Sequence, residues 1–362
     1  MKILSILLRI PWHLLLLSGV LVFVGSLALY SASQGSWQPW AGQHMVRGAI
    51  GMVIMLMFAF VNFNFIHRMS YVALGIAILT LITLLFIGTG QGVTRWISIG
   101  GVNLQPSEPA KVVLILTLAR YFDSQPLERL QGFTVYLPAL AMIAVPFLLV
   151  LKQPDLGTAL MMLLGGLFIV FAAGLPWRYV FGAGAVTLAA IPLLWSQFHP
   201  YQKARVMTFL NPESDVLGAG YQITQSKIAL GSGGFFGKGF LMGSQSQLNY
   251  LPEKQTDFVF TMIGEEFGFA GNIFILIIYM LLSMSILRIS FLVKSRFSQL
   301  SCIGIAMMMF LYMFVNVGMV IGLLPVVGAP LPLISYGGTA MLTVFVALGI
   351  VINASIYDRQ NP

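Results

Sequence analysis

Apolar residues run along this chain in long blocks separated by short polar connections. Blocks near 12–30, 46–62, 71–88, 106–121, 134–151, 157–174 and 177–195 precede one long polar stretch, and blocks near 258–284, 299–323 and 337–356 follow it. A helix needs about 20 apolar residues to cross a bilayer's hydrocarbon core. The first block exceeds the ~7–15 residues of a cleavable signal's apolar region, so it reads as an uncleaved helix preceded by Lys2 and Arg9. The pattern predicts an all-α polytopic membrane protein with about ten transmembrane helices, residues 1–362 forming a single membrane domain.

The polar stretch, about residues 196–257, reads as one long extracytoplasmic loop with short amphipathic helices. Tyr221–Leu230 has an apolar face and suits a helix lying on the membrane surface. Gly231–Gly239 has glycine at five of nine positions, which suits tight turns, close approach of backbone to a ligand, or a flexible connector. It lacks the G-x-x-x-x-G-K-[ST] spacing of a nucleotide-binding loop, so ATP-driven chemistry is not expected.

Composition narrows the class further. Hydrophobic residues make up 58% and charged residues only 8%, against a usual ~25% charged, and mean hydropathy is +0.90. A soluble domain, a disordered chain and a collagen-like fibre are excluded. With one cysteine, Cys302, so is a disulfide scaffold; that thiol reads as a small buried hydrophobe.

The net charge of +8 comes from cations scattered singly between apolar blocks, without the basic, aromatic-interleaved patches of a nucleic-acid binder. If the N-terminus is cytoplasmic, Lys2, Arg9, Arg68, Arg120, Arg129, Arg178, Arg288, Lys294, Arg296 and Arg359 all fall inside. The short outer connections then hold only Arg47, Arg95 and Lys152. This follows the positive-inside rule, and an even number of spans returns the C-terminus to the cytoplasm.

Ionisable groups within or beside spans cost roughly 2.5–3.5 kcal/mol each at a helix centre and mark candidate function. Glu108 and Lys111 open the fourth block three residues apart, on one helical face, as a site pair or a packing ion pair. Asp155, in a turn between two spans, suits either a helix N-cap or a site. Asp257 stands where the polar loop meets an apolar helix; it too suits an N-cap, or a desolvated carboxylate with its pKa raised toward general-base range. Glu265 and Glu266 lie two turns deeper, and two adjacent acids cannot both face lipid. The four histidines are dispersed without metal-ligand spacing.

These residues fall in recognisable motifs. Asn316 is followed by Gly322-Leu-Leu-Pro-Val-Val-Gly-Ala-Pro-Leu-Pro-Leu-Ile-Ser-Tyr-Gly-Gly338, with Gln105-Pro-Ser-Glu108, Gln153-Pro-Asp-Leu-Gly157 and Leu251-Pro-Glu…Thr256-Asp-Phe258 upstream. Over nearly its whole length the chain resembles the SEDS family (shape, elongation, division and sporulation). Thr339 stands where that family more usually has serine. Asn211–Tyr221 and Gln225–Ala229 look more like the family's elongation branch than its division branch.

The resemblance implies a peptidoglycan glycosyltransferase of a bacterial cytoplasmic (inner) membrane. It would polymerise lipid II into glycan strands at the outer face during elongation and rod-shape maintenance, with its active site facing the periplasm. Asp257 maps onto the family's indispensable acid and would serve as general base. Gln105, Glu108, Lys111, Asp155, Arg205, Lys227 and Ser335 would contact substrate, Arg205 or Lys111 meeting the leaving pyrophosphate. A divalent cation, Mg or Mn, would be held by Asp155 or Asp257 if one is used. The expected partners are a class B penicillin-binding protein, which is a transpeptidase, and other elongation-complex membrane proteins. Two rival readings are a lipid II flippase and a non-catalytic scaffold of the wall-elongation complex.

Overall fold

The computed structural model describes residues 9–87, 95–99, 102–197, 200–215, 218–248 and 250–358; Lys2 and Arg359, placed above by charge, lie outside them. A helix stands at every one of the ten apolar blocks. In chain order the helices are α1 (Trp12–Ala32), α2 (Ala41–Ala59), α3 (Phe63–Ile87), α4 (Ser107–Asp123), α5 (Tyr136–Lys152), α6 (Leu156–Ala172) and α7 (Trp177–Gln197). The loop adds α8 (Pro200–Leu210), α9 (Ala219–Gly233) and the one-turn α10 (Ser244–Gln247), and the chain continues through α11 (Val259–Ser290), α12 (Arg296–Val320) and α13 (Gly338–Tyr357). Among the described residues, seven helices are long and apolar enough to cross a bilayer unaided. The protein is an all-α polytopic membrane protein.

α4 and α6 have 17 residues each, a rise of about 25 Å against a ~30 Å core. Both sit among other helices: α4 packs on α3, α6, α12 and α13, and α12 also packs on α6. The faces they bury therefore meet protein rather than lipid. That is why α4 can carry Glu108 and Lys111, at 1% and 3% exposure, into the bundle.

The glycine-rich run closes a break in α11. The 32-residue helix is interrupted at Gly268, whose φ of 69° and ψ of −165° are not helical. A break leaves carbonyls and N–H groups without intrahelical partners, and at membrane depth they must be satisfied by protein. Residues 234–239 do this from both sides. Lys238 N–H and Gly239 N–H donate to the carbonyls of Glu265 and Glu266, each at 3.0 Å; Phe269 N–H and Ala270 N–H donate to those of Gly234 (2.9 Å) and Phe235 (3.0 Å). A Cβ on Gly237 would come within 2.1 Å of the Glu266 carbonyl, and one on Gly233 within 2.0 Å of that of Gly264. The glycines thus permit backbone-to-backbone contact between two parts of the chain.

Glu265 and Glu266 both turn inward. Glu265 Oε1 accepts from Lys238 Nζ (2.7 Å), Gln245 N–H (2.9 Å) and Ser244 Oγ (3.1 Å), and Glu266 accepts from Ser31 Oγ at the end of α1. The helix expected at 221–230 is longer, and it packs on α11 through a face that includes Gly220, Ile223, Ser226, Ala229 and Gly233. Its small side chains let it join the bundle; Ser226 Oγ bonds Thr261 Oγ1 at 2.7 Å and the Val320 carbonyl at 2.8 Å.

At the opposite end of the bundle, arginines reach main-chain carbonyls. Arg296 donates to Gln125 (3.2 Å) and Ala173 (2.8 Å), Arg120 to Arg68 (2.6 Å) and Arg178 to Gln131 (2.8 Å).

Candidate active site

Three connections and one extended segment meet at one end of the bundle. The connection from α3 to α4 contains a two-stranded antiparallel hairpin, β1 (Ile97–Ile99) and β2 (Val102–Leu104), pairing Ile97 with Leu104. Its two flanks hold the same turn. On one side Arg95 donates from Nε to the Gln153 carbonyl at 3.4 Å and from Nη2 to the Pro154 carbonyl. On the other, Gln105 Nε2 donates to Asp155 Oδ2 at 2.9 Å. Asp155 Oδ1 accepts from Thr158 N–H at 3.2 Å, so this aspartate is the N-cap of α6, 2% exposed and with both oxygens engaged.

Glu108 and Lys111 form a sealed pair at 2.7 Å, with side chains 2% and 3% exposed. Tyr312 of α12 donates its hydroxyl to Glu108, and Lys111 Nζ lies 4.3 Å from the centre of the same ring. The pair locks α4 to α12.

The segment between α12 and α13 runs without regular structure back into the bundle, with Ala329, Leu331, Leu333 and Ile334 fully buried. Buried main chain must find partners, and side chains supply them. Asn316 Nδ2 donates to the Ala329 carbonyl (2.7 Å), Tyr279 to that of Pro332, and His44 Nε2 lies 3.2 Å from that of Leu333. Ser335 Oγ accepts from Leu331 N–H at 2.9 Å, closing a turn within the segment. Ser335 therefore faces inward at 1% exposure, a fold-holding position rather than the substrate-facing one expected.

Asp257 sits where these parts converge. Leu251 and Phe258, both buried, pin the ends of its loop. Tyr336 N–H donates to Gln255 O at 2.8 Å, and Asn316 Nδ2 to the Asp257 main-chain carbonyl at 3.0 Å. Gly328, at φ 71°, runs beside the carboxylate: a Cβ there would lie 3.4 Å from Oδ2. Burial pushes the Asp257 carboxyl up to about 7; Glu253 and Asp155 push the same way, while Arg95 and Arg205 oppose them. Arg205, on α8, is half-buried. Lys227, on α9, is exposed and lies over Gly322 at the end of α12, where a Cβ would be 2.6 Å from its Nζ.

The structure brings Gln105, Asp155, Arg205 and Asp257 together, seals Glu108 and Lys111 just below them, and leaves Lys227 on the rim. Arg95, the first of the cations acting on Asp257, is a site residue that no motif singles out. Its signal was present: it is one of only three cations in the short connections on the outer side.

Chemistry gathered at one end of a membrane-embedded helical bundle marks a polytopic membrane enzyme. Comparison with known proteins is specific. Residues 5–360 match the FtsW/RodA/SpoVE family model, described as "Cell cycle protein", and the chain belongs to this family. It is 42% identical to the peptidoglycan glycosyltransferase MrdB of Escherichia coli K12 over 358 residues, 97% of this chain and 94% of that one. It is 32% identical to stage V sporulation protein E of Bacillus subtilis, covering 96% and 97%. Among solved structures it resembles a chain of a peptidoglycan synthase complex that coordinates polymerization and crosslinking, with TM-score 0.83, 30% identity and coverage of 96% and 98%.

Proposed function

We propose that this protein is a peptidoglycan glycosyltransferase that polymerises lipid II, with Asp257 as its general base. The observation that carries the assignment is the carboxylate at the mouth of the bundle, raised to about 7, where a base accepts a proton at neutral pH and releases it again. A sugar 4-hydroxyl attacks the anomeric carbon of a second lipid-linked sugar. Its oxygen forms the new glycosidic bond, its proton passes to Asp257, and the C1–O bond to the lipid diphosphate breaks with the electron pair leaving on oxygen. The energy lies in that phosphate ester, in keeping with a chain that has no nucleotide-binding motif. Because both sugars hang from lipid tails, a site at the bundle end suits them.

The site is proposed to face the outer side of the cytoplasmic membrane. Arg120, Arg178 and Arg296 at the opposite end support this through the positive-inside rule. A class B penicillin-binding transpeptidase is the proposed partner, in line with the synthase complex that this chain resembles.

Among the described residues no three His, Cys, Asp or Glu side chains converge as metal ligands. Both oxygens of Asp155 are engaged by protein groups and Asp257 is assigned to proton transfer, so a divalent cation would be held mainly by the substrate's own phosphates. Such a cation would add positive charge at the leaving diphosphate.

The test is gel analysis of glycan products from purified protein, copurified with its transpeptidase, given lipid II and a divalent cation. Wild type should make polymer and a folded Asp257→Ala variant none. Polymer from both would overturn the assignment of the base; lipid scrambling without polymer would favour the flippase reading.

A further inference from the structure

The departing diphosphate needs a positive group, and the structure changes which one is available. Lys111 is neutralised by Glu108 at 2.7 Å inside the bundle, and Lys238 by Glu265 at 2.7 Å. Arg95 is held differently. Its two hydrogen bonds go to the main-chain carbonyls of Gln153 and Pro154, which orient a guanidinium without cancelling its charge. Those carbonyls are themselves fixed: Gln153 Nε2 donates to the Leu81 carbonyl at 2.9 Å, and Asp155 caps the helix that follows. Guanidinium carries five N–H donors in a planar fork suited to phosphate oxygens. Two of its nitrogens serve the turn, and the half-buried side chain keeps donors for an anion.

We infer that Arg95 is the residue that receives the lipid diphosphate of the donor sugar as its C1–O bond breaks. This rests on the glycosyltransferase reading above and adds the leaving-group half of the reaction. The acceptor oxygen bonds to C1, its proton goes to Asp257, and the electron pair of the broken bond becomes negative charge on the diphosphate oxygen facing Arg95. Charged groups acting on Asp257 are Glu253 of its own loop, Arg95 before the hairpin, Asp155 at the α6 N-terminus and Arg205 of α8. Arg95 favours the ionised form of Asp257, so its loss raises the pKa of that base further.

The experiment compares wild type, Arg95→Gln, Arg95→Lys and Asp257→Ala, each copurified with the transpeptidase partner. It reads initial polymerisation rate against lipid II concentration and pH, and inhibition by inorganic pyrophosphate as the probe of the leaving-group site. Removing one preorganised donor to developing charge lowers kcat roughly 100-fold, and that is expected of Arg95→Gln. Its pH midpoint should move to the alkaline side of wild type, and pyrophosphate should inhibit it at least about tenfold more weakly. A purely structural arginine would move neither the pH midpoint nor pyrophosphate inhibition. The proposal is overturned if pyrophosphate inhibits Arg95→Gln as well as wild type, if it does not inhibit wild type, or if Arg95→Gln polymerises within about threefold of wild type. Should Arg95→Gln fail to fold, Arg95→Lys, which keeps the charge and loses the fork, is read instead, and unchanged pyrophosphate inhibition overturns the proposal. Polymer from Asp257→Ala would sink the general-base reading alone, because the pyrophosphate arm is scored independently.

Discussion

The side-chain amide of Asn316 holds the main chain of Asp257: Nδ2 donates to the Asp257 carbonyl at 3.0 Å and to the Ala329 carbonyl at 2.7 Å. One nitrogen on α12 thus ties the loop carrying the base to the segment running past its carboxylate. Asn316→Ala should release both carbonyls. Each buried group left without its partner costs about 1–3 kcal/mol, and a displaced base loses roughly tenfold in rate per 1.4 kcal/mol. The expected result is at least a tenfold fall in kcat with little change in KM, read from initial polymerisation rates.

The raised pKa of Asp257 sets the pH dependence of the reaction. A general base must be ionised, so kcat should fall as pH drops through about 7, approaching tenfold per pH unit on the acid side. A profile of kcat between about pH 5 and 9 checks this. A midpoint near the ordinary aspartate value of 3.8 would contradict the assignment.

The same carboxylate should oppose folding where it is charged. A folded-state pKa raised from 3.8 to about 7 contributes stability fully present below 3.8 and lost as pH rises through about 7. Asp257→Asn cannot ionise and escapes that loss. Above pH 7 its melting temperature in detergent should equal or exceed that of wild type while activity disappears. A variant that melts well below wild type at high pH would mean that the carboxylate holds the fold.

Glu108 and Lys111 make a different prediction. Removing one partner of a buried pair strands the other charge, at a cost of about 3–5 kcal/mol. Glu108→Gln should therefore lower the melting temperature sharply. The double variant Glu108→Leu with Lys111→Met, which strands no charge, should recover most of the loss. Recovery of stability without recovery of polymerisation would show that the pair also serves the reaction.

Gly268 should tolerate no side chain. At φ 69° an added Cβ would stand 2.3 Å from the Gly237 nitrogen and 2.5 Å from the Phe235 carbonyl oxygen, and backbone on both sides has no rotamer to change. Gly268→Ala should cut the yield of folded protein in membranes, measured by fluorescence-detected gel filtration.

The helices were legible because lipid imposes one rule on every span, a run of some 20 apolar residues, and each such run became a helix. The site was legible in part. Asp257 and Asp155 stood out as acids at the edges of apolar runs, yet local sequence could not separate capping from chemistry. Two partners decided it, one of them distant: Thr158, three residues on, takes one oxygen of Asp155 as a helix cap, and Gln105, on the far side of the hairpin, takes the other. Arg95 escaped notice because its hydrogen-bond partners lie 58 and 59 residues away, in a connection without hydrophobic periodicity. Ser335 looked like a site residue within its motif, but its hydroxyl serves the main chain four residues back. The glycine-rich run suggested close approach, and nothing in its own sequence could reveal that the approaching partner was the Gly268 break.

The order of those two segments in the chain bears on how the protein is made. Residues 234–239 leave the ribosome about thirty positions before the broken turn that they complete. When α11 emerges, the main-chain groups on either side of Gly268 cannot be paired within the nascent helix, and lateral release into lipid would strand them. The preceding loop must already be within reach, so the helix is completed by material synthesised ahead of it.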